Sequence, residues 1–287
     1  MTTDSAPAAR PPSALEQERR AYRRGREQRS VLVAIASTLA FAGIVWVTVL
    51  STPGWAKVQE TFFDPATALA ALPKVWDGFL INLQVLAWSV VTVAIVALLI
   101  AAARTLRGPV FLPVRVLAAA YTDLFRGLPF IIVLYLIGFG VPTILNVRVD
   151  VVVLGVTAVT LTYSAYVAEV IRAGIDAVHP SQRLAARALG LGYTQTLGRV
   201  VLPQALRKVT PPLMNDFISM QKDVGLISIL GAIDAIAAAR SATALSYNFT
   251  PYVVAGLLFV LLAIPTIRLT DWYTARLRER EQSGAIL

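Results

Sequence analysis

The chain has no cysteine and a single histidine, His179. Disulfides and thiolate metal sites are therefore excluded, and imidazole ligands are too few to build a zinc centre. Lysine is nearly as scarce: Lys57, Lys74, Lys208 and Lys222 are the only four. None follows a glycine and none precedes Ser or Thr, so the Gly-Lys-Ser/Thr of a phosphate-binding loop is missing. The chain does not hydrolyse ATP by that route. No paired catalytic constellation stands out, and neither a catalytic residue nor a cofactor is expected. Charged residues make up only 15% of the chain, against roughly 25% in soluble domains.

Apolar sequence fills the gap. Hydrophobic residues account for 56% of the 287 positions and the mean hydropathy is +0.66. Several runs are long enough to cross a bilayer, which takes roughly 20 residues. The expected fold is all-α: a polytopic membrane helical bundle with six transmembrane spans, at 31–50, 79–103, 116–141, 151–174, 209–239 and 251–269. Residues 1–30, "SAPAARPPSA" followed by "EQERRAYRRGREQR", read as a disordered basic arm without a cleavable signal peptide. Residues 52–75 read as a moderately polar loop. "RGLP" interrupts the third span and "KDVG" the fifth.

Basic residues set the orientation. They collect in 1–30, 104–115, 176–208 and 268–287, while the other side holds Lys57, Lys74, Arg148 and Arg240. The positive-inside rule places the first group, with both termini, on the cytoplasmic face. The net charge of +9 follows from these loops. Nucleic acid is not an expected partner, because no binding module is present.

Four ionisable residues fall in or beside the apolar runs: Arg126, Glu169, Lys222 and Asp223, with Asp123 and Asp216 near span ends. A charge at the centre of a membrane helix costs roughly 2.5–3.5 kcal/mol, so such groups usually face a partner or a polar cavity. The plain alternative is interfacial snorkelling or a structural pair. "YTDLFRGLPF" and "MQKDVGLIS" both free backbone groups that need protein or a water-lined cavity around them. Two such breaks point to a solute path; two ordinary kinks are the bland reading.

Between spans four and five lies "SQRLAARALGLGYTQTLGRVVLPQALR", residues 181–207. Ser181 is an expected N-cap. A short helix with small residues at Ala185, Ala186 and Ala188 should end at Gly190 in a left-handed cap. A second helix, capped by Thr194, should end near Pro203. The product is a cytoplasmic helix-turn-helix suited to docking, or a connector that joins two spans.

Taken with their neighbours, these residues resemble the permease subunit of ATP-binding-cassette importers, in the polar amino acid family of histidine, glutamine and glutamate permeases. "SQRLAARALG" and "LPQALR" match that family's Glu-Ala-Ala loop, "AYVAEVIRAGI" its fourth-span signature, "YTDLFRGLP" its Arg-Gly-Thr-Pro region and "MQKDVGLIS" its Lys-Asp-Thr-Ser-Leu segment. The resemblance covers about residues 76–275. It implies an importer permease domain there, an additional span and extracytoplasmic loop at 31–75, and a cytoplasmic tail at 276–287.

The resemblance also implies a coupling helix that docks a separate ATP-binding-cassette ATPase through Gln182, Ala185, Ala186, Leu189 and Gly190. Arg126, Glu169, Lys222 and Asp223 would line or gate the path. Implied partners are an extracytoplasmic solute-binding protein, a second permease copy or paralogue, an amino acid substrate and membrane lipid. Leu184 stands where the family has Glu, Ser181 where it has Gly, Leu128 where it has Thr, and Val224-Gly225 where it has Thr-Ser. Contacts made by those side chains are therefore unavailable. Two other classes fit the bare composition: an ion-coupled secondary transporter or channel, which has no need of a docking loop, and a membrane-embedded enzyme, which needs residues that are missing.

Overall fold

The computed structural model describes residues 13–106 and 108–284, all helix and connections with no strand among them. Helix α1 covers Ala14–Val45 and runs on through a wide turn at Trp46–Leu50. Its start corrects the disordered-arm expectation for 14–30. Ser13 accepts from the Glu16 amide at 3.3 Å, and the Ala, Glu, Gln and Arg residues that follow are strong helix formers. Residues 1–12 of the expected arm lie outside the described residues.

The chain forms two compact units, 1–60 and 61–287. The expected loop at 52–75 is helical instead: α2 covers Pro53–Phe62 and α3 begins at Pro65, ending only at Thr105. The reason is local. Asp64 accepts from the amides of Ala66 (3.0 Å) and Thr67 (3.3 Å), and Pro65 supplies the fixed φ of a first helical residue. Capping outweighs the modest polarity that suggested a loop.

Helices α4 (Leu112–Gly127) and α5 (Phe130–Leu145) meet at an angle of 106°. Pro129 lacks an amide hydrogen and forces Leu128 into extended backbone, φ −91° and ψ 134°. The expected third span is thus two half-length helices. The fourth span, α6, is unbroken over Val151–Asp176. After the short α7 (Pro180–Ala188), a helical run α8 covers Tyr193–Leu230 and bends by 56° into α9 (Ala235–Ser246). Helix α10 spans Thr250–Gly284. Among the described residues, four helices are long and apolar enough to cross a membrane, and up to six spans result if each bent pair counts as one.

Packing of the larger unit centres on α3 and α6. Val85, Leu86, Val159 and Tyr163 of these helices enclose Val133 and Leu134 of α5 and Val224 and Ile227 of α8. A second layer joins Ala71, Val75 and Phe79 to Ala235, Ala239 and Ala255. Where α8 breaks, Asn82 carries the polar load at zero exposure. Its amide donates to the Val224 carbonyl (2.9 Å) and to Asp234 Oδ2 (3.0 Å), and its oxygen accepts from the Ala235 amide at 3.2 Å. Asp234, also fully buried, caps α9 by accepting from the Ala237 amide at 2.8 Å. Gly78 makes room for this crossing: a Cβ there would lie 2.4 Å from the Asp234 carbonyl carbon.

Asn82→Ala strands buried groups on both sides of the break. It should lower stability by about 2 kcal/mol or more, read as a fall in the unfolding midpoint of the detergent-solubilised chain. An unchanged midpoint would show that the break holds without it.

Candidate functional site

Two regions of the larger unit carry functional geometry: a cleft at the helix breaks and the surface of α7. The cleft, about 340 Å³, is lined among others by Pro129, Phe130, Tyr163, Tyr166, Asp216 and Asp223. Asp216 and Asp223 lie about two turns apart on one face of α8. Asp223 Oδ2 accepts from Tyr163 Oη at 2.7 Å. Asp216 Oδ2 is buried and has no hydrogen-bond partner among the described residues. A buried carboxylate oxygen is strongly favoured to take a donor, so the cleft suits a group bearing N–H.

The expected path residues divide. Arg126 and Glu169 come together, Nη1 to Oε1 at 3.9 Å. Arg126 does not line the cleft itself but touches Tyr166, which does: Tyr166 Oη donates to the Arg126 carbonyl at 3.2 Å, and the Arg126 guanidinium lies 5.9 Å from the Tyr166 ring centroid. Asp223 faces the cleft, whereas Lys222 is exposed and does not line it. Asp123 is exposed as well.

Glu169 is a structural hub. Its carboxylate accepts from Arg104 and from Arg172, whose Nε reaches Oε2 at 3.1 Å, and Arg172 extends to Asp176 at 2.6 Å. Arg104 in turn donates to Thr122 on α4 at 3.0 Å, so α3, α4 and α6 are joined through one acid. The spacing Glu169-Arg172-Asp176 was a readable helical pairing signal. Nothing in the sequence placed Arg104 beside them. The cleft aromatics Tyr163 and Tyr166 were likewise unmarked.

At one end of the bundle, α7 is held by its neighbours and presents one face outward. His179, not Ser181, is its cap: Nδ1 accepts from the Ser181 amide at 3.2 Å, because Ser181 already lies inside the first turn behind Pro180. Gly190 adopts φ +81° as expected, and the Leu191 amide closes the turn on the Ala186 carbonyl at 3.1 Å. Gly192, rather than Thr194, starts the next helix; Gln195 Oε1 accepts from its amide at 3.1 Å. That helix does not end near Pro203. A wide turn at Leu197–Val201 precedes the proline and offsets the hydrogen-bond ladder its ring would otherwise disrupt.

Of the five expected docking residues, Gln182, Ala185, Leu189 and Gly190 are exposed. Ala186 is corrected: at 4% exposure it packs beneath the helix and is closed to a partner. Leu184 and Leu189 stand out at 67% and 83% exposure. Arg183 Nη2 donates to the Ile175 carbonyl and Lys208 Nζ to the Ala177 carbonyl, each at 2.7 Å. These bonds clamp α7 and the start of α8 to the end of α6.

A family model described as "Binding-protein-dependent transport system inner membrane component" matches residues 110–279. The arginine transport system permease protein ArtQ of Bacillus subtilis is 32% identical over 203 residues, 70% of this chain and 91% of its own. The putative glutamine transport system permease protein GlnP of Rickettsia prowazekii is 33% identical, over 66% of this chain and 85% of its own. A solved amino acid ABC transporter with histidines superposes with a TM-score of 0.68 and 29% identity, over 74% of this chain and 98% of that one. The MetNI methionine ABC transporter, at 20% identity and a TM-score of 0.51, shares the fold.

Replacing Glu169 by Ala leaves Arg104 and Arg172 without their shared acceptor. The expected loss is about 1–3 kcal/mol, given partial exposure of the network, measurable as a lower unfolding midpoint. Glu169→Gln should recover part of it, and equal midpoints for all three chains would deny the hub role.

Proposed function

The chain belongs to the family of binding-protein-dependent transport system inner membrane components, and from that premise we propose that it is the permease subunit of an ATP-driven importer carrying amino acids across the cytoplasmic membrane. Residues 76–275 form the importer domain in this reading, preceded at 31–75 by an additional span and an extracytoplasmic connection that is helical rather than a loop, and followed by a tail at 276–287. In this reading both termini face the cytoplasm, which the distribution of basic residues supports. A second permease copy or paralogue completes the path, and an extracytoplasmic binding protein delivers the solute.

The observation that carries the proposal is α7. It is clamped to α6 from behind and turns Gln182, Ala185, Leu189 and Gly190 outward. Exposed leucines at 184 and 189 on a cytoplasmic surface suit a protein groove. The occupant is an ATP-binding-cassette ATPase, which supplies the hydrolysis this chain lacks. The alternative driven by an ion gradient finds no support among the relatives compared.

Inside the membrane, the solute's ammonium meets Asp216 and Asp223, and its carboxylate meets Arg126. Glu169 holds the arginines in place beside that route. The names of the arginine and glutamine permeases among the relatives support an amino acid cargo. Lys222 is assigned to gating next to Asp223, outside the cleft.

Affinity purification of the tagged chain in mild detergent should recover a nucleotide-binding ATPase, and Ala185→Glu on the exposed face should lose it. Recovery of the chain alone across several detergents would instead favour the gradient-driven class. Asp216→Asn should reduce ATP-dependent amino acid uptake by about tenfold, the equivalent of one charge-assisted hydrogen bond, with the ATPase still bound. Lys222→Met should also lower uptake with assembly intact; undiminished uptake removes Lys222 from the route.

A further inference from the structure

Behind α7 lies a second cavity, about 450 Å³, that the transport path does not use. Its walls come from the ends of α3 and α6, from α7 and from the first turns of α8. Arg104, Arg172, Arg183 and Arg187 line it, with a single acid, Asp176. Arg104 and Arg172 are spent on Glu169 and Asp176. Arg183 uses one nitrogen on the Ile175 carbonyl, while its Nε is buried without a hydrogen-bond partner among the described residues. Arg187 is exposed, and its side chain makes no ion pair or hydrogen bond among them. Two guanidiniums without a balancing carboxylate therefore border the cavity.

The rest of the lining is mostly apolar, with Ile171, Leu197 and Leu202, and carries hydroxyls only at Thr105, Tyr193 and Thr196. It continues along α3 to Leu98, 60% exposed. Leu98 lies about 10 Å along the helix from Thr105, at a rise of about 1.5 Å per residue. A charged rim at the helix ends above an apolar wall of that depth has the polarity of one phospholipid, headgroup outside and acyl chain inward. A free anion would leave the wall uncovered.

We infer that this cavity binds one anionic phospholipid, its phosphate held by Arg183 and Arg187 and its chain laid against Leu98 and Ile171. Basic pockets between membrane helices on the cytoplasmic side bind such headgroups. The site goes beyond the importer reading, and uses from it only the placement of this end at the membrane surface. A lipid there would brace the back of α7 without occupying its outward face.

Native mass spectrometry of the full chain in its assembly, equilibrated with phosphatidylglycerol and phosphatidylcholine, tests the inference. Phosphatidylglycerol should be retained in preference, and Arg187→Gln should weaken it about fivefold, the worth of one arginine near an anionic headgroup. Arg199→Gln, at an exposed arginine off the cavity, should change nothing. Equal retention in Arg187→Gln and the parent chain would overturn the inference, as would equal retention of phosphatidylcholine. Displacement of the lipid by inorganic phosphate would reassign the site to a free anion. Any ATPase is seen in the same spectra, so loss of lipid and loss of docking are read separately.

Discussion

A helix broken inside a membrane must satisfy its freed backbone groups from protein, and here one side chain does so. Asn82 bridges the Val224 carbonyl, the Asp234 carboxylate and the Ala235 amide. In hydrocarbon each such group left alone costs several kcal/mol. The bend between α8 and α9, and with it the position of the cleft wall formed by α8, therefore depends on a residue in another helix. Gly78, one turn before Asn82, is the steric counterpart: only without a Cβ can α3 lie this close to Asp234.

The same logic extends to the other end. Glu169 joins α3, α4 and α6 through arginines, and the end of α6 is clamped to α7 through Arg183 and to α8 through Lys208. Helices α6 and α8 supply Tyr163, Tyr166, Asp216 and Asp223 to the cleft. In the proposed reading, a force on α7 reaches the cleft through rigid helices and a few hydrogen bonds, without a flexible loop between them. Interfaces of this kind switch between discrete arrangements rather than deforming smoothly.

Much of this was legible in the residues. Pro129 announced the break between α4 and α5, and Gly190 the left-handed turn after α7. The apolar runs located the spans, and order and spacing of motifs located the family. What stayed hidden depended on distance or phase. Arg104 finds Glu169 across 65 positions, and Tyr163 finds Asp223 across 60. Ala185, Ala186 and Ala188 are chemically alike, so only the rotation of α7 could show that Ala186 faces inward. The helix at 53–62 and the early start of α3 were masked by polar composition, although the Asp64-Pro65 cap was there to be read. Ser13, the cap of α1, was likewise there to be read.

Because the chain has no cysteine, one introduced thiol reports alone. Ser219 lines the cleft between Asp216 and Asp223. The decisive measurement is the labelling rate of Ser219→Cys by membrane-impermeant maleimides applied from either side of sealed vesicles, at rest and with the ATPase trapped in its ATP-bound state. If the cleft is the path of an ATP-driven importer, nucleotide should move accessibility from one face to the other. Labelling from the same face at the same rate in both states would contradict it.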